Sequence, residues 1–206
     1  MTYIIVALLA YCIGSISFSV IISKKVAGFD VREKGSGNAG STNVLRTVGK
    51  KAAALTLLCD ALKGVIAVLI AFIAGKLVAG TDAALLVQIA GAFAVLGHTF
   101  PIFFGFKGGK GVATSLGVLF MINWQMALIC LVFAIVLVVI TRMVSVGSIT
   151  AAILFPVLTL FLHDNFLVPG NYVLFGIIIA VFIAYNHRSN IQRIMTGTEN
   201  KIGSNK

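Results

Sequence analysis

Long apolar runs alternate with short polar, glycine-rich segments along this chain. Residues 1–23 are apolar with no leading positive charge, and Lys24 and Lys25 follow at once. A cleaved signal peptide has its charge in front and a small-residue cleavage site behind, so this run reads as a first spanning helix. Further apolar runs lie at roughly 52–75, 84–97, 111–122, 126–140, 148–162 and 171–185. A crossing helix needs about 20 residues for about 30 Å of hydrocarbon, so several of these runs are short. The stretch 111–140 is too long for one straight span and barely enough for two. Asn123, Trp124 and Gln125 in its middle predict an interfacial turn, with Trp at head-group depth. The pattern predicts an all-α integral membrane protein of about seven spans, or five if two adjacent pairs merge.

Composition narrows the class further. Of 206 residues, 59% are hydrophobic and 11% charged, against about 45–50% and about 25% in a soluble domain. That leaves no room for a separate soluble domain, and 1–206 reads as a single polytopic membrane domain. With seven spans, segments 24–51, 98–110, 141–147 and 186–206 share one side and hold 14 of the 16 basic residues, all but Lys63 and Lys76. The positive-inside rule makes that side cytoplasmic, with the N-terminus outside and the C-terminus inside. A net charge of +10 in such a protein points to orientation and anionic lipid, not nucleic acid. Cys12, Cys59 and Cys130 form no spacing motif and read as small buried hydrophobes. No internal repeat is visible, which disfavours an inverted-repeat transporter.

The polar segments carry the candidate chemistry. In HTFPIFFGFKGGKGVAT (98–114), Lys107, Gly108, Gly109, Lys110 and Gly111 sit where an aromatic segment meets an apolar run. Glycines leave backbone N–H groups unshielded and a following helix adds its positive end, so the segment suits a phosphate. It is not the nucleoside-triphosphate loop, because Gly111 follows Lys110 where that loop needs Ser or Thr. A basic turn anchoring a helix to lipid head groups is the alternative. In GSGNAGSTNVLR (35–46), Ser36, Asn38, Ser41, Thr42 and Asn43 offer short donors, and Arg46 a planar fork for phosphate. The same residues would also make an ordinary turn and N-cap.

Asp60 and Lys63 share a helix face inside an apolar run, either as a structural pair or with Lys63 leaning towards a phosphate. His187 and Asn190 can share a face just past the last run, where His187 could donate to a phosphate or take a proton. Its alternative is a cation at a helix C-terminus. The chain has no Gly-x-Ser-x-Gly elbow, no His-Glu-x-x-His and no carboxylate cluster for a metal. Direct group transfer from a reactive donor suits such a site, with positioning and charge stabilisation carrying the catalysis.

These segments, with Asp60–Lys63–Gly64 and HRSNIQRIMTGTENKIG (187–203), resemble the bacterial acyl-phosphate:glycerol-3-phosphate acyltransferases, the PlsY family. Three cytoplasmic motifs occur in order and the resemblance runs end to end. Ser41 departs from the Ala common there. The resemblance implies a compact helical membrane bundle, commonly of seven spans, in the bacterial plasma membrane with its active site at the cytoplasmic face. It implies transfer of a fatty acyl group from acyl phosphate to the 1-hydroxyl of glycerol 3-phosphate, giving lysophosphatidic acid and inorganic phosphate. No cofactor, coenzyme A or ATP is expected. Carried over by motif, Ser36, Arg46, Lys110, His187 and Asn190 would be catalytic. Asn38, Thr42, Asn43, Lys63, Lys107, Gly108, Gly109, Gly111, Ser145 and Ser148 would bind substrate. Asp60 and Glu199 would be structural. A transporter of a phosphorylated small molecule is the alternative function.

Overall fold

The computed structural model describes residues 1–166, 168 and 170–203, so the C-terminal residues expected inside lie partly outside the described residues. All regular elements among them are helices. Contacts divide the chain into two units, Met1–Met121 and Ile122–Lys206. The first holds α1 (Thr2–Gly14), α2 (Phe18–Ala27), α3 (Ser41–Thr47), α4 (Lys50–Leu77), α5 (Ala83–Thr99) and α6 (Val112–Ile122), which ends at the boundary. Short 3-10 turns cover Val31–Glu33 and Ile102–Phe104. The second holds α7 (Trp124–Thr141), α8 (Val144–Phe166), α9 (Tyr172–Asn186) and α10 (Arg188–Met195).

Among the described residues, five stretches are long and apolar enough to cross a membrane: Thr2–Ala27, Lys50–Leu77, Ala83–Phe104, Trp124–Thr141 and Val144–Phe166. The pair α9 and α10, bent by 64°, makes a sixth if taken as one span. Each apolar run of the sequence has become helix. The helix α6, with 11 residues, rises only about 16 Å and does not cross alone. Asn123 separates it from α7 and caps α7, its Oδ1 accepting from Met126 N at 2.8 Å, with Trp124 exposed beside it.

In the first unit α1 lies along α5, and α4 packs against both. Without a hydrophobic force between helices in lipid, close approach through small residues does the packing. Gly14 abuts the Ala94 backbone, and Gly97 abuts the backbone of Tyr11 and Ser15, so a side chain at either would drive α1 from α5. Large apolar side chains such as Ile4, Leu8, Leu58 and Leu69 are exposed, as a lipid-facing surface requires. Cys12 is exposed and Cys59 half-buried, so of the three cysteines Cys130 alone is a buried hydrophobe.

The first span is not continuous: α1 and α2 are separate helices, broken at Ser15–Ser17. Broken backbone at membrane depth needs partners from elsewhere in the protein. Lys63 Nζ donates to Ile16 O at 2.8 Å, and Ser15 Oγ accepts from Ile102 N at 3.3 Å.

Candidate active site

The segment 28–49 is built around Asn43, which the helix α3 holds almost fully buried. Its Nδ2 donates to the carbonyls of Val31, Lys34 and Asn38 at 2.8–3.1 Å, and its Oδ1 accepts from Ser36 N at 2.9 Å. One amide thus ties four points of the glycine-rich turn and fixes the backbone at Ser36. Gly35 and Gly37 take φ of 62° and 72°, which lets the chain reverse around it. Ser36 and Arg46 are exposed; Asn38 and Thr42 are half-buried. Thr42 and Arg46 lie four residues apart on α3 and share its face.

The loop 105–111 is seated on the end of α5. Gly108 N donates to Thr99 O and Gly109 N to His98 O, both at 3.1 Å. These two amides are spent inside the protein, and the glycines are needed for contact. A Cβ on Gly108 would stand 2.7 Å from Thr99 O, and one on Gly109 would strike the His98 ring and come 2.9 Å from Ala39 O. Gly111, with φ of 89°, turns the chain into α6, where a side chain would be strained. Lys107 is exposed and Lys110 half-buried. Ala39 N donates to Gly108 O at 3.3 Å, so the structure brings the first glycine-rich segment and this loop together.

Behind the loop lies a buried polar trio. Asp60 and Lys63, each 2% exposed at the side chain, approach to 3.0 Å, and His98 Nδ1 is 3.6 Å from Asp60 Oδ1. Breaking such a pair would leave an uncompensated charge in the membrane, which is costly. Lys63 is occupied by Asp60 and Ile16 O, and His98 links this trio to the loop through its contact with Gly109.

The second unit carries its own cluster. Glu199 Oε1 accepts from Ser145 Oγ at 2.8 Å and Asn190 Nδ2 at 2.6 Å, while Oε2 accepts from Arg193 Nε at 2.8 Å. Burial alone would raise the Glu199 carboxyl, but the bonds from Asn190, Ser145 and Arg193 outweigh it and hold its pKa below the ordinary range. One carboxylate therefore joins the start of α8, the helix α10 and the tail; Ile202 N, donating to Arg142 O at 2.8 Å, fastens that tail again. Ser148 is buried one turn beyond Ser145. His187 is buried at the bend between α9 and α10, its Nδ1 2.8 Å from Ile183 O. A carbonyl only accepts, so Nδ1 carries a proton and its bond to Ile183 fixes the orientation of the ring.

Sequence reasoning gave no role to Asp30, Arg32 or His98. Asp30 caps the 3-10 turn by accepting from Arg32 N at 3.0 Å. The spacing Asp-x-Arg before a glycine-rich turn is the signal that could have singled out this pair.

The arrangement is a pair of tightly seated polar segments in the first unit and a carboxylate-centred cluster in the second. The family model for glycerol-3-phosphate acyltransferase matches residues 4–197. A glycerol-3-phosphate acyltransferase of Clostridioides difficile (strain 630) is 47% identical over 209 residues, 100% of this chain and 98% of the relative. One from Shouchella clausii (strain KSM-K16) is 43% identical, covering 95% of this chain and 94% of the relative. The crystal structure of PlsY (YgiH), an integral membrane glycerol 3-phosphate acyltransferase, in its glycerol 3-phosphate form superposes with a TM-score of 0.87 at 41% identity. That match covers 98% of this chain and 96% of that one. With sequence, family model and fold agreeing over nearly the whole length, this multi-pass membrane protein belongs to the glycerol-3-phosphate acyltransferase family.

Proposed function

We propose that this enzyme moves a fatty acyl group from acyl phosphate to the 1-hydroxyl of glycerol 3-phosphate, the first step of phospholipid synthesis. The observation that carries this reading is the joined pair of segments in the first unit. Asn43 fixes the turn at Ser36, and the loop Lys107–Gly111 is seated on α5 and bonded to Ala39. Two phosphates need cations and donors, and Ser36, Asn38, Thr42, Arg46, Lys107, Lys110 and Gly111 supply them. Asn43, Gly108 and Gly109 serve by shaping the backbone, and Asp60 with Lys63 by supporting it from behind. For His187, Asn190, Ser145 and Ser148 the assignment to substrate rests on the family motifs, and within the second unit Glu199 holds Ser145 and Asn190 in place.

The hydroxyl oxygen attacks the acyl carbonyl carbon, the bond from that carbon to the phosphate oxygen breaks, and an ester and hydrogen phosphate form. The donor's own phosphate takes the proton of the attacking hydroxyl. A mixed anhydride is already reactive, so this step requires no enzyme nucleophile. The protein contributes orientation and charge stabilisation. The N-terminus lies outside, and the three polar motifs face the cytoplasm, where the basic residues would then gather.

The PlsY structures include forms described as glycerol 3-phosphate and lysophosphatidic acid, a substrate and product matching this reaction. Purified protein given glycerol 3-phosphate and acyl phosphate, with a chelator and no ATP, is expected to release lysophosphatidic acid and phosphate one for one. Comparable turnover with acyl-coenzyme A as sole donor would contradict the proposal.

A further inference from the structure

Arg32 has no chemical role in the reaction as described, yet it grips the phosphate loop from the side. Its Nε and Nη2 donate to the two oxygens of Asp30 at 3.0 and 2.8 Å. Its Nη1 donates to Phe104 O at 2.6 Å and to Lys107 O at 3.2 Å. Those two carbonyls bracket Gly105 and Phe106, which have φ of 68° and 58°. Glycine accepts that left-handed backbone, but a phenylalanine keeps it only where the surroundings enforce it. The turn leads directly into Lys107–Gly111. Asp30 is 7% exposed at the side chain, and the guanidinium beside it holds its carboxyl at about 2, so the pair stays charged.

We propose that Arg32, aimed by Asp30, is a positioning residue for acyl transfer: by holding both ends of the left-handed Gly105–Phe106 turn, it sets the placement of the Lys107–Gly111 loop and so its affinity for a phosphate. This rests on the reading of that loop as a phosphate seat. A planar fork reaches Asp30 and two carbonyls at once, whereas a lysine has a single point of charge on a flexible stem.

The test uses purified full-length Arg32→Lys, Arg32→Ala and Asp30→Asn proteins, with Lys110→Ala in parallel. The measurements are KM for glycerol 3-phosphate, inhibition by inorganic phosphate, kcat and the thermal midpoint. A misplaced site costs up to about 10²-fold, so a roughly ten- to hundredfold loss of affinity for one or both probes is expected in the Arg32 and Asp30 variants. The thermal midpoint should fall in Arg32→Ala, which leaves the Asp30 carboxylate without its guanidinium, and stay nearer the parent's in Arg32→Lys and Asp30→Asn. Among folded protein, millimolar guanidinium should partly restore Arg32→Ala but not Arg32→Lys. Unchanged constants in Arg32→Lys and Asp30→Asn, or losses that only track the folded fraction, would overturn the inference. If Arg32→Ala does not fold, those two gentler variants decide. Should Lys110→Ala weaken both probes while the Arg32 variants do not, the positioning role alone fails. If Lys110→Ala changes neither probe, the phosphate reading of the loop fails and takes the inference with it.

Discussion

Glu199 gathers three donors from separate parts of the second unit, and its ionisation is therefore tied to folding. Its pKa lies below the ordinary 4.5, so its contribution is fully present above that value and is lost as pH falls beneath it. Glu199→Gln puts an amide N–H where donors point, a change expected to cost about 1–3 kcal/mol at pH 7. Thermal melts of both proteins at neutral and acid pH check this. The parent should lose stability below pH 4.5 more steeply than the variant, and equal slopes would contradict the account. Asn43 illustrates the limit of reading residue types. Its place in a glycine-rich, hydroxyl-rich stretch suggests a substrate donor, but its amide is spent on four backbone groups. Composition shows that an amide is present; only the three-dimensional path of the chain shows which carbonyls surround it. Arg32 was hidden for the same reason, since its partners at Phe104 and Lys107 are more than 70 residues away.

At the scale of elements, hydropathy located the helices well because a crossing segment must satisfy its own backbone within lipid. All seven apolar runs are helical. What hydropathy does not carry is how a run is broken. The interruption at Ser15–Ser17 depends on Lys63 and Ile102 supplying partners from other elements. The shortness of α6 follows from Asn123, whose cap starts α7 at once. The motif-bearing loops are legible as cation- and glycine-rich, and their seating on α5 is not. Orientation rests on charge alone: cysteines introduced beside Lys110 and Arg193 should be labelled by membrane-impermeant reagents only from the cytoplasmic side. Labelling from outside would reverse the topology.

The whole molecule is a membrane-embedded acyltransferase whose reactive power, in this account, resides in the donor and not in an enzyme nucleophile. A covalent acyl-enzyme would leave a different trace, because its formation from acyl phosphate releases phosphate before any acceptor binds. Such a step runs backwards as well, and would carry free phosphate into the donor. The direct measurement is therefore exchange of labelled inorganic phosphate into unlabelled acyl phosphate, with purified protein and no glycerol 3-phosphate. Direct transfer predicts no labelled acyl phosphate, while the same preparation makes lysophosphatidic acid once glycerol 3-phosphate is added. Acceptor-independent exchange at a rate comparable to turnover would contradict the account.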